Sequence, residues 1–89
     1  MTWQIEFDAA ALDDLRKLGS AGRVHVLRFL QERIAPADDP RRLGKALSGD
    51  KPGFWRYRVG DYRIIARIED QRLMVLIIAI GHRSEIYRK

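Results

Sequence analysis

Phe54-Trp55-Arg56-Tyr57-Arg58-Val59-Gly60-Asp61-Tyr62-Arg63-Ile64-Ile65-Ala66-Arg67-Ile68-Glu69 reads as two strands joined by a turn. Gly60-Asp61 is a two-residue hairpin signal, and the runs on either side alternate in character. With those two residues as the turn, Val59 lies opposite Tyr62, Arg58 opposite Arg63, and Arg56 opposite Ile65. Trp55, Tyr57, Val59, Tyr62, Ile64, Ala66 and Ile68 then share one face, which must be the core. Arg56, Arg58, Arg63 and Arg67 share the other. Like charges directly opposite on a sheet destabilise it by a few tenths of a kcal/mol up to about 1 kcal/mol. An Arg58–Arg63 pair is therefore a liability unless an anion bridges it.

Outward from the hairpin, Asp70-Gln71 is expected to turn the chain into Arg72–Ile80, a strand apolar on both faces and hence central in the sheet. That register extends the arginine face with Met74, Leu76 and Ile78. It also puts His82, Arg83 and Tyr87 at the strand's end, beside Arg63. Upstream, Trp3, Ile5 and Phe7 alternate with polar residues as a first strand. Asp8 is placed to cap a helix running to Leu18, with Leu12, Leu15 and Leu18 inward and Gly19 as its stop. Ser20 is expected to cap a second helix over about 21–34, with Val26, Leu27, Leu30 and Ile34 as its buried stripe. Residues 35–53 hold all three prolines and read as a long connection with a short helical turn near 41–47. The order β-α-α-β-β-β predicts one α+β domain over residues 1–89, a helical hairpin packed on an antiparallel sheet.

Composition narrows the function classes. The 89 residues contain no cysteine, so disulfides, thiolate metal sites and a cysteine nucleophile are excluded. Residues 1–39 carry 5 Lys and Arg against 7 Asp and Glu, whereas residues 40–89 carry 12 against 5. A C-terminal half this basic suits a polyanionic partner, because nucleic-acid affinity is largely phosphate neutralisation. His25 and His82 are distant in the chain, and Asp13-Asp14 and Asp38-Asp39 have no converging histidine, so no metal and no other cofactor are expected. Asp13 and Asp14 read as a solvated helix edge. Met1 leads straight into Trp3, Ile5 and Phe7 with no basic stretch, and no apolar run approaches bilayer length, so a cytoplasmic location without membrane contact is expected.

Phe54-Trp55-Arg56-Tyr57-Arg58-Val59-Gly60-Asp61-Tyr62-Arg63-Ile64-Ile65, with Ile80-Gly81-His82-Arg83-Ser84-Glu85-Ile86-Tyr87, resembles the RelE/ParE toxin superfamily. Phe7-Asp8 leading into Leu15-Arg16-Lys17-Leu18-Gly19 is similar to its RelE branch. The resemblance implies a toxin of a bacterial type II toxin–antitoxin pair that enters the ribosomal A site and cuts mRNA through attack of the nucleotide's 2′-hydroxyl on the adjacent phosphate. By it, Arg58 and Arg63 would hold the scissile phosphate, Arg56 would anchor neighbouring backbone with Arg67 on the same face, and Tyr87 would orient or deprotonate the 2′-hydroxyl. Either Arg83 or His82 would occupy the basic position near the leaving oxygen, and only the imidazole could supply a general acid. The RelE pattern has lysines at the positions of Arg56 and Arg58, and arginine holds charge without shuttling a proton. The implied partners are a RelB-like antitoxin covering Met74, Leu76 and Ile78, the ribosome and mRNA, with DNA reached only through the antitoxin complex. Two other functions share this fold: a ParE-type toxin acting on DNA gyrase, and a non-catalytic ribosome- or nucleic-acid-binding module.

Overall fold

The computed structural model describes residues 2–47 and 53–83. The hairpin is as the alternation requires. Strands β3 (Phe54–Val59) and β4 (Tyr62–Glu69) pair with Arg58 opposite Arg63 and Val59 opposite Tyr62. Gly60 takes φ 59°, the positive value that a glycine at the first central turn position supplies. They join β1 (Gln4–Phe7), β2 (Lys45–Ala46) and β5 (Met74–His82) in one sheet of order β1-β5-β4-β3-β2. β5 is central, paired on both sides. The sheet is not wholly antiparallel as expected, because β1 runs parallel to β5. The two-residue β2, too short for any periodic pattern, is an unforeseen fifth strand inside the predicted connection.

Helix α1 (Ala9–Lys17) starts where Asp8 accepts the Ala11 N–H at 2.8 Å. Helix α2 (Gly19–Phe29) continues as a π-helical turn over Leu30–Ile34. Gly19 at φ 79° breaks the chain direction between them, so α2 begins at Gly19 and Ser20 lies within it instead of capping it. The helices cover one sheet face, where Leu15, Val26, Leu30, Ile34, Tyr57, Ile64, Val75 and Ile77 make the core. Ala11 takes the buried position beside Leu15, which turns Leu12 outward to 41 % exposure, contrary to the expected stripe. Asp14 is half-buried and not solvated as expected. β1 ends opposite Ile77, so the Ile80 N–H has no strand partner on that side, and Asp14 Oδ2 accepts it at 3.0 Å.

Two features of β5 depart from the simple register. A 3₁₀ turn at Asp70–Arg72 followed by Leu73 at φ 49° spends four residues where two were expected, making Glu69 face Met74. A bulge between Ile65 and Ala66 then leaves Ile78 as an extra residue, because Ala66 faces Ile77 while Ile65 faces Ala79. Beyond the bulge every β5 side chain points to the face opposite from an unbulged strand's.

A second 3₁₀ turn, Pro40–Leu43, is shorter than the helical turn predicted near 41–47, and it begins where Asp39 accepts the Arg41 N–H at 3.0 Å. It delivers the chain to β2 through Gly44, where a Cβ would stand 2.6 Å from the Arg56 carbonyl oxygen and 2.9 Å from the Tyr57 ring. Backbone and a buried ring cannot yield as a surface side chain would. Gly44→Ala is therefore expected to lower stability by about 1–3 kcal/mol, read as a fall in the thermal unfolding midpoint. An unchanged midpoint would show that β2 lies farther from β3.

Candidate nucleic-acid interface

The sheet face turned away from the helices is ordered in rows across the strands. One row runs Gly81–Arg63–Arg58, and the next runs Ala79–Ile65–Arg56–Lys45. Farther along come Leu76–Arg67–Phe54 and Met74–Glu69, bordered on β1 by Glu6 and Gln4. Charge is thus polarised along the face: cations crowd the Gly60 end, while at the other Arg67 sits among carboxylates and apolar groups. A groove of about 680 Å³ sits at the cationic end, lined by Arg42, Leu43, Gly44, Lys45, Arg56, Arg58, Arg63 and Arg83. Six of those eight are cations and none is acidic.

Arg63 is the fixed member of the cluster. Its Nη1 donates to the carbonyls of Gly60 at 3.0 Å and Tyr62 at 2.9 Å, so the turn itself orients the guanidinium. Arg58, directly opposite, is exposed and makes no ion pair among the described residues. Arg83 is led to the groove by its own backbone, whose N–H donates to the Asp61 carbonyl at 2.9 Å. Nothing in the local sequence pattern singles out Arg42 and Lys45. They enter through the short β2 pairing with β3, for which no residue pattern gave notice.

Three of the expected site residues are placed elsewhere or differently. His82 faces Tyr62, whose ring belongs to the helix side, and the two rings meet edge-on with centroids 6.4 Å apart. It lines a smaller depression with Asp14 and Lys17 of α1, across the sheet from the arginines. The cause is the bulge, which exchanges the faces taken by His82 and Arg83. Arg67 lies outside the groove, ion-paired at 2.9 Å with Glu69, whose carboxyl Arg67 and Arg72 hold below its ordinary range. Ile78 is the bulge residue rather than a neighbour of Arg63, while Met74 and Leu76 remain half-buried on the open face. Tyr87 lies outside the described residues.

The wall carrying Arg42 is anchored from beneath. Tyr57, wholly buried, donates its hydroxyl to the Pro40 carbonyl at 2.8 Å and packs its ring 5.9 Å from that of Phe29. Arg41 bonds Asp70 in the β4–β5 turn and Asp39 beside it, and stands 6.0 Å over the Trp55 ring. Asp70 is accordingly held below its usual carboxylate range by the Arg41 hydrogen bond. Of two adjacent arginines, one is structural and the next faces the groove.

Fold and groove together describe a small α+β domain with a cationic groove on an open sheet face. The family model described as ParE toxin of type II toxin-antitoxin system, parDE, matches residues 5–87. The Mycobacterium tuberculosis protein Toxin RelG is 33% identical over 89 residues, covering all of both chains. The Escherichia coli mRNA interferase toxin RelE is 31% identical over 91 residues, covering 98% of this chain and 92% of the relative. Among solved structures, the RelBE2 toxin–antitoxin complex of M. tuberculosis superposes with TM-score 0.85 at 30% identity, over 93% of this chain and 100% of that one. The isolated E. coli RelE toxin superposes with TM-score 0.72 at 27% identity, over 96% and 90%. The chain belongs to the RelE/ParE superfamily, as a RelE-type toxin of a type II toxin–antitoxin system.

Burial pushes the Tyr57 phenol far above its ordinary value, with Asp39 adding to the rise and Arg41 opposing it. A group whose pKa is raised on folding contributes stability that is complete below its unfolded pKa, about 10 for tyrosine, and is lost as pH climbs toward the folded value. Tyr57→Phe strands the Pro40 carbonyl and is expected to cost about 1–3 kcal/mol near neutrality. It should also flatten the loss of stability above pH about 10. Urea titrations at pH 7 and at alkaline pH measure both, and equal alkaline slopes would remove Tyr57 from that role.

Proposed function

We propose that this toxin is a ribosome-dependent endoribonuclease that cuts mRNA in the A site, with the Arg58–Arg63 pair as the seat of the scissile phosphate. The observation that carries the reading is that unfavourable pair, two guanidinium groups opposite each other with a third, Arg83, alongside. The interferase name borne by the E. coli and Shigella flexneri relatives supports it. In the reaction the 2′-oxygen attacks the adjacent phosphorus and the bond to the 5′-oxygen breaks. The 2′-hydroxyl gives up its proton as it attacks, to solvent or through Tyr87, and the departing 5′-oxygen takes one up, so the products are a 2′,3′-cyclic phosphate and a 5′-hydroxyl. Negative charge accumulates on the phosphoryl oxygens on the way, and fixed guanidinium groups stabilise it without having to reorganise. Arg63 and Arg58 bracket that charge, Arg83 stands by the leaving oxygen, Arg56 holds the neighbouring backbone, and Tyr87 orients the 2′-hydroxyl and stacks on a base. A guanidinium does not donate its proton at neutral pH, so the proton for the 5′-oxygen comes from solvent, the ribosome or Tyr87.

The same reading supplies a partner. M. tuberculosis and E. coli toxins of this kind are known as complexes with antitoxins. A RelB-like antitoxin segment with acidic and aliphatic residues would neutralise the groove and cover Met74, Leu76 and the Ile78 bulge. Methyl resonances of Met74, Leu76 and Ile78 should shift on adding the cognate antitoxin. Shifts confined to the outer faces of α1 and α2 would place the partner elsewhere.

The test of the activity is a translating bacterial extract with mRNA 5′ ends mapped by primer extension. Cleavage within A-site codons is expected, lost in Arg63→Ala and reduced at least 100-fold in Arg83→Ala, in the range found when one transition-state hydrogen-bond donor is removed (about 10²–10³). His82→Ala should cut as the unaltered protein does. A second reading, a ParE-type inhibitor of DNA gyrase, has the description of the matching family model in its favour. Intact mRNA together with blocked supercoiling would establish it, and arrested translation without cuts would make the arginines binders only.

A further inference from the structure

We propose that Arg42 and Lys45 form, with Arg56, a second phosphate subsite that takes the backbone phosphate next to the one held by Arg58 and Arg63. The inference rests on the nucleic-acid reading of the groove and adds a direction to it. The groove's cations fall into two sets. One is the Arg63–Arg58 row, and the other is the row two residues along β3, where Arg56 pairs with Lys45 and the groove closes on Arg42. Two residues of strand separate the rows by about 6.6 Å at about 3.3 Å per residue. That is one step of an extended nucleotide backbone.

The second row is apolar toward β4 and β5, where Ile65 and Ala79 occupy it. Its charge is therefore displaced toward β2, and a strand held by both sets must cross the face obliquely and leave over the β2 edge.

Two further observations show that this wall is built. Eight described Lys and Arg residues lie outside the groove, and six of them (Arg16, Lys17, Arg28, Arg41, Arg67 and Arg72) are in ion pairs. Arg42 and Lys45 are both exposed and make no ion pair among the described residues. They are not short of support, because Tyr57 holds Pro40 and Arg41 binds Asp70, fixing the backbone on which Arg42 sits. Gly44 then lets that backbone close against the Arg56 carbonyl, a fit that any side chain there would spoil. A rigid backbone presenting two uncompensated cations beside Arg56 is suited to a fixed phosphate.

The experiment measures binding of uncleavable 2′-O-methyl oligoribonucleotides, from dinucleotide to tetranucleotide, at several salt concentrations. The unaltered protein should gain affinity between dinucleotide and trinucleotide, when a second internal phosphate becomes available. Arg42→Gln/Lys45→Gln should keep the dinucleotide affinity and lose that gain. Its log–log salt slope on the trinucleotide should be shallower by about 0.7, the value of one phosphate contact in a single strand. Arg28→Gln, which removes one charge from the outer face of α2, should leave the length dependence unchanged. In extract, the double variant should need more protein for half-maximal cleavage yet reach the same rate at saturation.

A double variant that retains the gain and the slope overturns the subsite while leaving the endonuclease reading intact. An unchanged half-maximal concentration for the double variant in extract likewise overturns the subsite, whereas absence of cleavage by the unaltered protein in that extract overturns the endonuclease reading on which it rests. Melting curves of both variants should match the unaltered protein, since the three side chains are exposed.

Discussion

A phenol with no access to water must find an acceptor within the protein, and Tyr57 finds the Pro40 carbonyl 17 residues upstream in the chain. That bond joins β3, the strand carrying Arg56 and Arg58, to the 3₁₀ turn carrying Arg42. Without it the turn would be a surface loop in a long connection, free to choose its own distance from the sheet. With it, Arg41 meets Asp70, Gly44 meets the Arg56 carbonyl, and Lys45 comes to lie opposite Arg56. The groove is therefore a consequence of core packing on the other side of the same strand. Tyr57 and Arg58 are neighbours in sequence and opposite in function because a strand alternates: one side chain secures the wall, and the next uses it.

The cost of such a face is electrostatic, and the structure manages it unevenly. At the far end Arg67 and Arg72 share Glu69, and in the β4–β5 turn Arg41 takes Asp70. In the groove the compensation is of another kind. Arg63 leans on two neutral carbonyls, which orient its charge without cancelling it. Like-charge repulsion of up to about 1 kcal/mol at Arg58–Arg63 is small beside what the buried side of the sheet contributes through Tyr57, Ile64, Val75 and Ile77. The domain tolerates an unfavourable surface because its stability resides on the opposite face.

What was legible in the sequence follows the same physics. The hairpin register, the arginine face, Asp8 as a cap and the central position of β5 all rest on local rules: alternation, turn chemistry, capping and apolarity on both faces. What escaped needed long-range information. A two-residue strand has no period, so β2 and with it Lys45 could not be found. The parallel pairing of β1 depends on where the helical hairpin returns the chain. Asp14 read as solvated because its partner, the Ile80 N–H, lies 66 residues away. The length of the β4–β5 turn rests on Leu73 adopting a left-handed conformation, which a leucine does not announce.

The bulge at Ile78 has an effect on the kind of surface this is. In an unbroken ladder the imidazole of His82 would enter the groove and the guanidinium of Arg83 would go to the helix side. An imidazole changes charge between about pH 5 and 8, whereas a guanidinium does not. One extra residue in a strand thus separates two designs, a site whose grip on anions varies with the acidity of its surroundings and one whose grip is constant. This chain presents the guanidinium, because the extra residue at position 78 decides which of two adjacent side chains faces the groove.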